Sequence, residues 1–315
     1  MSKNGLPRKP LTKRRLKNLI LNVLKNPFNM VVLVSLVILF CLIIIPLLTM
    51  IANTFTLAQG ELRRVQGHVG DFTLYYWKYI LASTLSGAVL WGPLKNSFIC
   101  GFFTVLVSVP LGSVLAWLMI RTDIPGKKIL GLLVTVPYMI PSWTKALAWL
   151  AMFRNSTSGA DGFLAGMGIP IPDWLAYGPI AIVLCMSMHY YAFSYIMVSG
   201  ALRSINSELE EMGEIQGASK AQILRHITLP LILPSVLSAT VMTISKSIGT
   251  YGVPANLGNR IGYYTLATKM RNFIDQGPQA VGYAMSIVLV LLAALIIFSN
   301  QRIVGGRKSY ATVSG

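Results

Sequence analysis

The chain has 315 residues, a mean hydropathy of +0.62 and only 12% charged residues. That is too apolar for a soluble globular domain and points to a polytopic membrane protein. The formal net charge of +17 would suit a nucleic-acid partner by magnitude alone, but its distribution along the chain argues for a membrane and against nucleic acid.

Residues 1–29 form a basic N-tail in which Leu16, Leu19, Ile20, Val23 and Leu24 recur at helical spacing. The pattern fits an amphipathic helix lying on the membrane face, and it equally fits a plain basic flank ahead of a first span. No small-x-small cleavage site follows, so a cleavable signal peptide is not expected. A spanning helix needs about 20 apolar residues. Six windows approach or exceed that: Met30–Ile51, Asn96–Ile120, Ile129–Leu150, Gly178–Gly200, Leu231–Tyr251 and Ala280–Asn300. Polar and aromatic residues interrupt the fourth and fifth. The expected fold is all-α with about six transmembrane helices. Between the first two spans, residues 52–95 form a long outer segment. Its aromatic run from Asp71 to Ser86 suits an interfacial helix, because Trp and Tyr favour the headgroup region. Residues 121–128 make a short basic turn. Residues 151–177 make a Gly- and Pro-rich outer loop, and residues 252–279 make the last one.

Counting Lys and Arg by segment orients the chain. With the N-terminus inside, 17 of the 27 fall on cytoplasmic segments, 8 on outer loops, and Lys145 and Lys246 lie within spans. This is positive-inside asymmetry, and it predicts N-in, C-in. All ten acidic residues lie outside the spans. Cys41, Cys100 and Cys185 fall inside spans at no metal-binding spacing and read as small packing residues.

The segment 201–230 is then cytoplasmic, polar and flanked by spans. It reads as a helix-turn-helix. Ser207 with Glu210 and Ser219 with Gln222 are capping-box pairs. Gly217 lies between them, where a left-handed residue ends the first helix. Ile205, Leu209, Met212 and Ile215 give the first helix an apolar stripe; Ile223, Leu224 and Ile227 do so for the second. Pro230 is tolerated only in a first helical turn, so it marks the entry to the next span.

This loop resembles the cytoplasmic coupling loop of binding-protein-dependent ABC importer permeases: Glu-Ala-Ala, three residues, Gly, nine residues, Ile-x-Leu-Pro. Glu211, Gly217, Ile227, Leu229 and Pro230 stand at that spacing. Met212 and Gly213 replace the two alanines, and Gln216 replaces the Asp that often precedes the glycine. Gly213 weakens a helix by roughly 1 kcal/mol relative to Ala. The resemblance covers about residues 90–300, with Asn96-Ser97 at the start of the core. It divides the chain into a basic tail (1–29), a first span with outer segment (30–95), a permease core (96–300) and a C-tail (301–315). It implies a multi-pass protein of the bacterial cytoplasmic membrane. The implied partners are ABC ATPase subunits, a second permease or another copy of this chain, an extracytoplasmic solute-binding protein and membrane lipid. Tyr251-Gly-Val-Pro254 is similar to a segment of permeases for ferric iron and polyamines, which puts ferric iron first among implied solutes, ahead of phosphonates, polyamines or thiamine-like compounds.

No Gly-x-x-x-x-Gly-Lys-Ser/Thr loop occurs, so ATP hydrolysis is expected on partner subunits, with no cofactor bound by this chain. No paired carboxylates, Ser/His/Asp set or His/Cys metal cluster is evident. His68, His189 and His226 read as structural or surface residues. That argues against a membrane-embedded enzyme; an ATPase-independent secondary transporter or channel is the alternative. An ionisable residue inside a span is costly and marks function by default. Lys246, Thr250 and Tyr251 on the fifth span, with Lys145 and Tyr191, are the candidate solute pathway. With no intramembrane acid to pair with, the two lysines suit an anionic solute or a fixed counter-dipole. For Lys145 the alternative is snorkelling to the outer interface.

Overall fold

The computed structural model describes residues 27–61, 65–205 and 208–305; the basic N-tail reading and the last ten residues lie outside them. The described chain is helical, and its one β-type feature is an isolated bridge between Thr56 and Phe72. Five helices are long and apolar enough to cross a membrane: α1 (Pro27–Asn53), then after the short α2 (Tyr75–Ala82) come α3 (Gly87–Arg121), the Asp173–Ser204 segment containing α6 (Pro179–Ser204), α8 (Lys220–Gly249) and Gln279–Arg302 within α11 (Gln279–Gly305). Each overlaps an expected span.

The remaining expected span, Ile129–Leu150, is two helices, α4 (Lys127–Met139) and α5 (Ser142–Phe153). Ile140 is extended (φ −81°, ψ 130°). The cause is local: proline crowds the residue before it out of the α region, and Pro141 follows Ile140.

Prolines shape the long helices in another way. Three π turns occur, at Phe40–Ile44, Gly87–Trp91 and Leu224–Thr228, and each ends two residues before a proline: Pro46, Pro93 and Pro230. A proline ring clashes with the carbonyl four residues back, and a widened turn accommodates it. The helix therefore continues through Pro230 instead of starting there. The second half of the expected helix-turn-helix and the fifth span are a single rod, α8.

Around α3 the other helices pack through small residues. A Cβ on Gly112 would sit 2.4 Å from the Tyr191 carbonyl oxygen and 2.7 Å from Ser194 Cβ, so the backbones of α3 and α6 are in direct contact. Gly101 meets Ile248 on α8 in the same manner. Close approach through small residues is how membrane helices gain van der Waals contact where no hydrophobic drive exists. Cys100 and Cys185 are buried in this packing and Cys41 is exposed.

The outer segment packs more firmly than an interfacial helix would. Tyr76 and Ile80 of α2 are fully buried against Leu90, Leu266, Val281 and Met285. The Tyr76 hydroxyl accepts from Ala58 N–H at 3.0 Å. Asn96 and Ser97 tie α3 to the last outer loop: Asn96 Nδ2 donates to the Tyr264 carbonyl (2.9 Å), and Ser97 Oγ accepts from Leu266 N–H (2.8 Å). That second bond caps the start of α10 (Leu266–Gln276), which follows the short buried α9 (Gly252–Gly258).

Candidate coupling site and solute pathway

The polar loop is built on α7 (Glu208–Ile215), whose first turn carries Glu208, Glu210 and Glu211. Acids there complement the positive end of the helix dipole. The helix ends as expected at Gly217 (φ +82°). Gly217 N–H reaches the Glu214 carbonyl (2.9 Å) and Ala218 N–H the Gly213 carbonyl (3.0 Å), the paired bonds of a Schellman ending. Ser219 and Gln222 form the expected capping box on α8: Ser219 Oγ accepts from Gln222 N–H, and Gln222 Oε1 accepts from Ser219 N–H. Ser207, the other expected cap, lies outside the described residues.

Gly213 has a packing role. A Cβ there would come within 3.2 Å of both Ile223 Cγ1 and Ile227 Cδ1. α7 therefore rests directly on the first turns of α8, and the two isoleucines occupy the space an alanine methyl would take. Ile227 faces this contact half-buried, while Glu211, Leu229 and Pro230 are exposed. Met212 (57% exposed) and Ile215 (85%) project outward. The inner side of the stripe thus locks the loop together and the outer side stays open.

One residue that sequence reasoning placed at the rim turns inward. Glu210 Oε1 accepts from Thr228 Oγ1 at 2.6 Å, and Glu210 Oε2 lies 2.9 Å from Arg121 Nε in a charge contact. Both charged side chains are largely shielded, at 15% and 17% exposed. Arg121 is the last residue of α3, and its Nη2 also donates to the Ile205 carbonyl (3.4 Å) just beyond α6. Glu210 therefore joins α7 to the ends of α3 and α6 and to the π turn of α8. No spacing rule pairs positions 121 and 210, so this link was invisible in the sequence.

The two intramembrane lysines are drawn into one constellation. Lys145 Nζ contacts the Pro137 carbonyl, donates to the Ile140 carbonyl at 3.2 Å and meets His189 Nδ1. These carbonyls are the ones freed where α4 stops, so Lys145 sits at a helix C-terminus, on the negative end of its dipole. An ammonium only donates, so His189 Nδ1 accepts from it. The His189 ring stacks on Tyr138 with centroids 5.4 Å apart. Tyr138 in turn accepts from Lys246 Nζ at 3.0 Å, and Lys246 lies 4.7 Å from the Phe193 ring centroid. Thr250 bonds the Tyr190 hydroxyl (2.7 Å) and its own helix at the Lys246 carbonyl (2.8 Å). Tyr251 is exposed at the end of α8. Tyr191 and Lys145 line an apolar groove of about 660 Å³ with Trp149 and Met188. Tyr138, His189 and Phe193 were not among the pathway candidates. They come from two other helices, and only the crossing of α4, α6 and α8 brings them to Lys246. The described residues hold no group of three or more His, Cys, Asp or Glu suited to a metal.

A family model described as the binding-protein-dependent transport system inner membrane component matches residues 108–309. The chain belongs to this family. It is a permease subunit of an ABC importer, multi-pass in the cytoplasmic membrane, and not an enzyme in its own right. A sulfate transport system permease of Salmonella typhimurium is 26% identical over 208 residues, 65% of this chain and 73% of that one. A permease from the same organism named for 2-aminoethylphosphonate is 28% identical over 232 residues, 74% of this chain and 80% of that one. Among solved structures, a bacterial ABC transporter for the acidic polysaccharide alginate superposes with a TM-score of 0.69 at 17% identity, covering 94% of this chain and all of that one. An inward-facing methionine ABC transporter gives 0.54 at 23% identity, covering 71% and 98%. These two likenesses establish the fold.

Proposed function

We propose that this permease carries a small oxyanion, handed over by a solute-binding protein and driven by ATP hydrolysis on two separate ATPase subunits. The observation that carries the anion is Lys246. Its ammonium sits within a span, held by a phenol hydroxyl and an aromatic face, and no carboxylate pairs with it among the described residues. An uncompensated cation in a low-dielectric setting gains most from a passing anion. Tyr138, Thr250 and Tyr251 supply neighbouring hydroxyls for the oxygens of such a solute. Relatives named for sulfate and aminoethylphosphonate, both anions, support this over the ferric iron that the Tyr251–Pro254 segment suggested.

Lys145 takes the counter-dipole role: its donors are used by the α4 carbonyls and His189, so it braces the site while Lys246 meets solute. The open side of the coupling loop, with Met212, Ile215 and Glu211, seats on an ATPase subunit. Closure of two ATPases then moves two such loops, one on this chain and one on a second permease or a second copy. The spans swing as rigid bodies about a midplane site, as alternating access requires. The orientation is N-in and C-in.

The test is uptake by proteoliposomes holding the full importer and its binding protein. Sulfate or a phosphonate should be accumulated with ATP, and ferric iron should not. Lys246→Glu should abolish anion uptake; unchanged transport and solute preference in that variant would sink the anion reading.

A further inference from the structure

At the end of the molecule nearer the coupling loop, α3, α4 and α6 leave a groove of about 750 Å³. Its walls are mostly apolar, with Tyr195 and Ile196 among them, and its mouth carries Lys127, Lys128 and Arg203. We infer that this groove holds one anionic glycerophospholipid, with the phosphate at the three cations and an acyl chain along the apolar wall.

Three observations converge on that occupant. None of the three cations has a carboxylate partner among the described residues; Lys127 Nζ donates to the Thr122 carbonyl (3.0 Å). Asp123, the acid on the connecting turn, does not line the groove. Next, α4 begins at this mouth with no acid in its first turn and no side-chain cap, so its positive end is unsatisfied. A helix N-terminus with free N–H groups favours a phosphate. Finally, Ser199 lines the groove, is 6% exposed, and its Oγ has no hydrogen-bond partner. A buried hydroxyl without a partner is a cost that a polar ligand atom removes. A free phosphate would use the cations but has no need of apolar walls along the depth of a span. A lipid matches both, and basic pockets between helices at the membrane face are suited to such headgroups. This assignment needs the N-in orientation only to name the cytoplasmic leaflet; Lys128→Cys labelled from one side or the other tests that separately.

The assembled importer should be placed in nanodiscs of phosphatidylcholine with a minor fraction of phosphatidylglycerol, and retained lipid counted by native mass spectrometry. The wild type should keep phosphatidylglycerol. Lys128→Gln with Arg203→Gln should weaken retention on the order of 20- to 30-fold, from a factor of about five per cation. Ser199→Leu should lose the lipid with the cations intact, by filling the groove. Lys78→Gln on the outer segment should change nothing. Equal retention in all variants would overturn the assignment. So would displacement of the lipid by millimolar inorganic phosphate, which would make this a soluble-anion site. Disulfide capture of Ile196→Cys by a second permease subunit would overturn it as well, since the groove would then be an interface.

Discussion

Arg121 and Glu210 meet at 2.9 Å, and through them the coupling helix is fastened to the end of the central span. Glu210 also accepts from Thr228 at the π turn of α8, so a push on α7 reaches two membrane helices through one carboxylate. A partly buried pair broken on one side leaves a charge unsatisfied, which costs more than the pair itself contributes.

Arg121→Ala and Glu210→Gln should therefore each reduce ATP-driven uptake several-fold while ATPase subunits still co-purify. The exchange Arg121→Glu with Glu210→Arg should recover part of the loss. A double-mutant cycle on uptake rate reads the coupling; additivity of the two single changes would mean that the pair transmits nothing.

At Gly217 the left-handed backbone matters and space does not, since nothing lies within 4 Å of a Cβ there. Gly217→Ala should cost roughly 1–2 kcal/mol of local strain and loosen the ATPase modestly. Gly217→Asp adds charge to the same strain and should reduce ATPase recovery strongly in affinity purification, with the chain still in the membrane.

Gly213 poses the opposite problem. Gly213→Leu has no room between α7 and the isoleucines at 223 and 227, and overpacking of this kind costs about 1–3 kcal/mol. It should expose the loop to limited proteolysis. Gly213→Ala should come close to neutral, its gain in helix propensity offset by contact with two isoleucine side chains.

Lys145 and Lys246 should separate cleanly. Lys145→Met frees the carbonyls at the α4 break and His189, and should lower thermal stability by an amount corresponding to about 1–3 kcal/mol, with solute preference unchanged. Tyr138→Phe removes the hydroxyl that holds Lys246 and should raise the KM for anion uptake several-fold with little change in stability. Uptake kinetics beside a thermal melt of the detergent-solubilised complex distinguish the two outcomes.

Much of this protein is written in local sequence. Apolar windows gave the five long helices, because burying a backbone in lipid demands an unbroken helical run. Gly217 and the Ser219–Gln222 box gave the turn of the coupling loop, because caps are decided by residues within three or four positions of one another. Composition at Ile129–Leu150 concealed a break that the single step Ile140-Pro141 imposes, and Pro230 pointed to a helix start where a π turn lets the helix run through. The rest is long-range. Glu210 finds Arg121 from 89 positions away, Lys246 finds Tyr138 on another helix, and Gly213 matters only because two isoleucines lie across from it. Such partners are chosen by how helices cross, and crossing depends on close approach at residues such as Gly112 and Gly101, whose meaning appears only when the facing backbone is in place.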